Sequence, residues 1–99
     1  MFVDCRMYGG SCGCGREHYM ETKGAIIEPG CLLELERHMA DFGISGKRCA
    51  LYGENSYAAA EGRRPRAEQE IVLDPRGLHA DERSTAEVLS KLDGDIEVI

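Results

Sequence analysis

The stretch from Lys23 to Tyr52 sets the strongest limit on what this chain can fold into. Gly24-Ala25-Ile26-Ile27-Glu28 is a short apolar run, Pro29-Gly30 breaks it, and a helical pattern runs from Cys31 to Phe42. Leu32, Leu35, Met39 and Phe42 recur at three- and four-residue steps, with Glu34, Glu36, Arg37 and Asp41 between them. That is an apolar stripe for a sheet and a charged face for water. Gly43 stands where a left-handed helix stop is expected, and Arg48-Cys49-Ala50-Leu51-Tyr52 is a second apolar run. Strand, turn, helix, turn, strand at this length is the minimal crossover of a parallel sheet.

The chain beyond Tyr52 repeats the alternation. Gly53-Glu54-Asn55-Ser56 lies between the second run and a further helical pattern, Tyr57 to Glu61. Ligands of open parallel sheets bind at such places, outside the carboxyl ends of the strands. Asn55 or Ser56 can cap the helix and leave Glu54 for a ribose hydroxyl; the plainer reading is a cap alone. Glu61-Gly62-Arg63-Arg64-Pro65-Arg66 interrupts the helix, and its arginines either grip a phosphate or sit in a solvated loop. Glu70 to Leu73 reads as a third strand, closed by a type I turn at Asp74-Pro75-Arg76-Gly77. A helix is expected from about Ala80 to Leu92, with Asp81 and Glu82 at its start and Ala86, Val88, Leu89 and Leu92 on its core side. Ile96-Glu97-Val98-Ile99 begins a fourth strand. The expected fold class is therefore α/β. It is a Rossmann-like parallel sheet of about four strands with crossover helices over residues 23–99, a truncated half of a nucleotide-binding domain.

Residues 1–22 are different: they form a cysteine- and glycine-rich arm without helical or alternating period. Three thiols and an imidazole (Cys5, Cys12, Cys14 and His18) fall within fourteen residues, spaced by glycines that let the backbone fold tightly. They can converge on one zinc ion as a tetrahedral Cys₃His site, although Cys-x-Cys bites more awkwardly than Cys-x-x-Cys. The other reading is an arm with idle thiols. Five cysteines is an odd number, and no apolar signal core precedes them, so reduced thiols or metal ligands are expected over a disulfide framework. Cys31 and Cys49 fall on the helix and strand already described and read as small buried hydrophobes.

A net charge of −6 argues against nucleic acid and anionic membrane surfaces as partners, since both need a basic face. No apolar run approaches membrane length, and the expected address is the cytoplasm. Ninety-nine residues make one domain with a radius of gyration of about 13 Å. A chain this short buries only about 60–65% of its unfolded surface, so its stability is expected to be marginal.

Four segments taken in order carry a resemblance: Cys12-Gly-Cys14-Gly-Arg-Glu-His18, Ile26-Ile27-Glu28-x-Gly30-x-Leu32, Glu54-Asn55-Ser56-Tyr57-Ala58-Ala59 and Ala80-Asp81-Glu82. The set resembles the N-terminal part of sn-glycerol-1-phosphate dehydrogenases, in the superfamily of iron-containing alcohol dehydrogenases and dehydroquinate synthases. The resemblance implies NAD or NADP as coenzyme and hydride transfer to dihydroxyacetone phosphate. It also implies a longer parent enzyme, whose pyrophosphate loop and metal-binding helical domain follow the strand that begins at Ile96. Partners on this reading are the remainder of the parent dehydrogenase and a second copy, a homodimer across the open sheet edge. The isolated chain is then expected to be inactive. Two features depart from the family pattern. Gly53 stands where an aspartate usually holds the adenosine ribose, with Glu54 one residue on, and the loop at Arg63 to Arg66 is short. The alternative is a stand-alone zinc-binding or protein-interaction module without enzymatic activity. A thiol redox role for Cys12 and Cys14 ranks last, because neither sits at an obvious helix start.

Overall fold

The computed structural model describes all 99 residues, Met1 to Ile99. It is mixed α/β, with strands in two-stranded ladders, one of them parallel. The chain divides into two compact units, Met1–Cys31 and Leu32–Ile99, so the run at Gly24–Ile26 belongs to the N-terminal unit and not to the α/β part.

In the N-terminal unit, β1 (Phe2–Asp4) is followed by a 3₁₀ turn at Cys5–Tyr8, a short hairpin of β2 (Gly10–Ser11) and β3 (Glu17–His18), and then β4 (Gly24–Ile26). The run expected to pair in parallel with Cys49–Tyr52 takes a different partner. β4 pairs antiparallel with β1, in the register Phe2↔Ile26, Val3↔Ala25, Asp4↔Gly24. The ladder extends at its end, where the Ile27 amide donates to the Met1 carbonyl at 2.8 Å and the terminal ammonium pairs with Glu28 at 3.0 Å. Gly24 makes this pairing possible. A Cβ there would stand 2.4 Å from Cε2 of Phe2, so only glycine lets the aromatic ring lie over the opposite strand.

A 3₁₀ turn at Cys31–Glu34, which begins on the last residue of the N-terminal unit, leads into α1 (Leu35–Asp41) of the C-terminal unit. Leu35, Met39 and Phe42 are half-buried as the periodicity predicts, while Leu32 is exposed. Gly43, at φ +67°, ends the helix. Its amide donates to Ala40 at 3.0 Å and the Ile44 amide to Met39 at 2.8 Å, the paired bonds of a Schellman stop. Next come β5 (Cys49–Gly53), α2 (Glu54–Ala59), β6 (Gln69–Leu73) and α3 (Glu82–Lys91). β5 and β6 run parallel, Cys49↔Gln69 through Gly53↔Leu73. On the other side of β5 stands a single parallel bridge, Arg48↔Val98, with the Cys49 amide donating to the Val98 carbonyl at 2.8 Å. The expected four-strand parallel sheet is therefore cut back to one parallel pair, β5 and β6, with this isolated bridge beside it.

The core is the face carrying Cys49, Ile71 and Leu73, closed by Leu78, Val88, Leu92 and Ile96. Asp81 caps α3 by accepting from the Arg83 and Ser84 amides at 3.0 and 3.1 Å. Val88 and Leu92, one turn apart, face the sheet; Leu89, expected beside them, is 63% exposed because it lies about 100° round the helix from Val88. The turn after β6 comes one residue later than expected. The Leu78 amide donates to Pro75 at 3.2 Å, which puts Gly77 (φ +70°) at the third position, as a type II turn requires. No helix is long and apolar enough to cross a membrane.

Candidate functional site

The densest cluster of reactive side chains is in the β2–β3 hairpin. Gly10 pairs with His18 and Ser11 with Glu17. The Cys12 amide then donates to the Arg16 carbonyl, and the Gly15 amide to the Cys12 carbonyl, each at 3.1 Å. The segment Cys12-Gly13-Cys14-Gly15 is therefore a tight turn, and Gly15 at φ +85° supplies the left-handed residue that lets it close. This geometry puts two thiols on one turn and brings the next strand's imidazole up to them. Cys14 Sγ lies 3.2 Å from His18 Nε2, and the ligand atoms of Cys12, Cys14 and His18 all lie within 4.8 Å of one another. All three side chains are exposed. The Cys14 amide and thiol, with the Gly13 amide, hold the Cys12 thiol below its usual range.

Cys5 does not join them. It opens the 3₁₀ turn after β1, is buried, and directs its Sγ to the Val3 carbonyl oxygen at 3.8 Å. Of the four residues expected to converge, the structure gathers Cys12, Cys14 and His18, while the 3₁₀ turn that begins at Cys5 buries that side chain apart from them. Three side chains of this kind could hold a metal ion and would leave a fourth position open, where four would close it. Cys31 is half-buried and Cys49 buried, and burial pushes the Cys49 thiol up.

The second place of interest is the carboxyl end of β5. Gly53 is the N-cap of α2, with extended backbone at φ −84°, ψ 163°. The Ser56 hydroxyl accepts from the Gly53 amide at 3.0 Å and donates back to the Gly53 carbonyl at 3.1 Å. Of the two capping candidates it is Ser56 that makes the bond, from inside the first turn. Glu54 and Asn55 stand exposed beside it. The turn after β6 contributes Arg76, which holds Asp74 through paired bonds of 2.9 and 2.8 Å and whose charge also feels Glu54.

The three loop arginines are engaged in holding the fold. Arg63 donates to the Ala59 carbonyl at 2.6 Å, and Arg64 donates twice to the Tyr57 carbonyl, at 3.0 and 2.7 Å. Arg64 also lies 3.3 Å over the Tyr57 ring, and Arg66 pairs with Glu68 at 2.8 Å. Arg63 and Arg64 thereby satisfy open carbonyls at the negative dipole end of α2. Sequence reasoning missed this role, although the signal was there: arginines within one turn of a helix end are placed for it.

Compared with known proteins, the chain matches no protein-family model, no curated protein and no solved structure.

Proposed function

We propose that this chain is the N-terminal, nucleotide-binding-type part of an NAD(P)-dependent glycerol-1-phosphate dehydrogenase, an oxidoreductase of phospholipid metabolism. One observation carries the reading: β5 has β6 on one side and Val98 on the other. Successive connections from β5 therefore run first one way and then the other. Between the carboxyl ends of two such strands a crevice opens, and open α/β sheets bind nucleotides there. A fuller Rossmann-like sheet, with Ile96–Ile99 as a complete strand beside β5, belongs to the same proposal.

The residues at this end suit a coenzyme's adenosine half. Glu54 is an exposed carboxylate able to accept from ribose hydroxyls, and Gly53 leaves the approach open, since a Cβ there would meet nothing closer than Ser56 Oγ at 3.9 Å. The coenzyme supplies the hydride; these residues would bind and orient it. The partners of this reading are the remainder of the parent dehydrogenase and a second copy of the chain.

Amide NMR of the labelled chain titrated with ADP-ribose and with NADH is the test. Shifts gathered at Gly53–Ser56, at the carboxyl end of β5, and weakened by Glu54→Gln are expected. No localised shift at millimolar ligand, or shifts unaffected by Glu54→Gln, would remove the support.

A further inference from the structure

We propose that the β2–β3 hairpin is a surface site for one zinc ion, held by Cys12 Sγ, Cys14 Sγ and His18 Nε2, with its fourth position open to an exogenous ligand and without Cys5. This goes beyond the dehydrogenase reading and does not depend on it, because a coenzyme has no part in it.

The donor set fits the ion. Two thiolates and an imidazole are the soft and borderline ligands that zinc takes, and no carboxylate of the kind that calcium or magnesium needs joins the cluster. The distances fit as well. Zn–S bonds of about 2.3 Å at a tetrahedral angle set two sulfurs about 3.8 Å apart. The ligand atoms now lie within 4.8 Å of one another, so at most about 1 Å of closure is needed. Exposed side chains on a turn flanked by Gly13 and Gly15 can supply that by rotamer change, with the ladder bonds of Gly10 and Ser11 undisturbed. Cys-x-Cys is a poor bite on an extended strand, where the two side chains share a face but spring from Cα atoms about 6.6 Å apart. On a tight turn the chain reverses between them, and this obstacle is removed.

The open position follows from Cys5 being buried with its thiol on the Val3 carbonyl. Water, a small thiol or a partner's side chain can take the place, as at zinc sites that keep three protein ligands. The site is therefore suited to exchange and relay of ligands more than to stapling the fold.

Zinc titration of the full chain under a non-thiol reductant, in competition with a chromophoric chelator, tests the stoichiometry. X-ray absorption then counts the sulfurs. One zinc per chain with two sulfur and two lighter ligands is expected. Cys12→Ser, Cys14→Ser and His18→Gln should each weaken binding at least about 10–100-fold, the loss that changes in the outer shell alone can cause. Cys5→Ser and Cys31→Ser should leave it unchanged. Amide spectra of each variant check that the hairpin is still folded. Three sulfurs in the coordination shell, or equal loss in Cys5→Ser with its fold intact, would overturn the open three-ligand site. So would failure of the wild-type chain to compete with the chelator, whatever the nucleotide titration gives.

Discussion

The Arg48 guanidinium donates to both carboxylate oxygens of Glu36, at 2.8 and 3.0 Å, and so ties the start of β5 to the exposed face of α1. The two ends of this pair are unequally buried. Arg48 is 9% exposed as a residue and its Nε has no partner, while the Glu36 side chain is 63% exposed.

That asymmetry predicts which half of the pair matters more. Glu36→Ala strands a nearly buried cation and is expected to cost about 1–3 kcal/mol. Arg48→Met keeps the apolar stem packed, removes the unpartnered Nε, and leaves Glu36 to water, so it should cost less. Urea unfolding of both variants checks the order. If Arg48→Met proves the more damaging, charge burial is not the controlling term.

Glu68 supplies a pH dependence in the same unit. It accepts from the Arg48 amide at 2.7 Å and from Arg66 at 2.8 Å, and these bonds, the Arg48 amide first, lower its pKa from 4.5 to about 2. A depressed carboxylate contributes stability that is fully present above the unfolded value and lost as pH falls toward the folded one. Stability should therefore decline between pH 4.5 and about 2. Glu68→Gln, which still accepts from the Arg48 amide but cannot titrate, should flatten the decline. An unchanged slope in urea midpoints across that window would show that other carboxylates govern it.

Gly43 isolates a backbone effect. Its φ is +67°, and a Cβ there would meet nothing within 4 Å, so Gly43→Ala changes conformational energy without steric clash. The expected loss is about 1–2 kcal/mol, the cost of an L-residue in the left-handed region. Gly43→Asn should cost less, because asparagine tolerates that region better. Thermal unfolding of both variants decides it: equal losses would mean that the Schellman stop does not control the end of α1.

Much of this was legible beforehand, because it depends on short-range chemistry. The helix stop at Gly43, the acidic start of α3 at Asp81 and the parallel runs at 49–53 and 69–73 each depend on residues within a few positions of one another. What escaped was partner choice. Phe2–Asp4 is three residues long, too short to display an alternating period, and only the fit of the Phe2 ring over Gly24 selects it as the partner of Gly24–Ile26. The thiols and imidazole of the arm were legible as residue types but not as the set that comes together. Nothing local to Cys5 announces that its thiol turns inward, whereas the Gly13 and Gly15 positions do announce the turn that gathers Cys12, Cys14 and His18.

Gly53 offers the sharpest test of the nucleotide reading, because one substitution there should move two unrelated quantities. The backbone, at φ −84° and ψ 163°, is ordinary extended geometry, and the space a Cβ would occupy is free. Aspartate at an N-cap accepts from the first amides of the helix, and it is better than glycine there by a few tenths of a kcal/mol. Gly53→Asp should thus raise stability slightly, whatever the protein binds. In the proposed coenzyme crevice the new carboxylate also stands beside Glu54 at the end of β5, where acidic side chains hold ribose hydroxyls in nucleotide-binding folds. The same variant should then bind NADH and ADP-ribose more tightly, with Gly53→Ala as the control that adds a Cβ but no charge. Calorimetric titration and thermal unfolding of the three proteins separate the effects. Raised stability with unchanged nucleotide affinity would leave the cap argument standing and remove ribose binding from this end of the sheet.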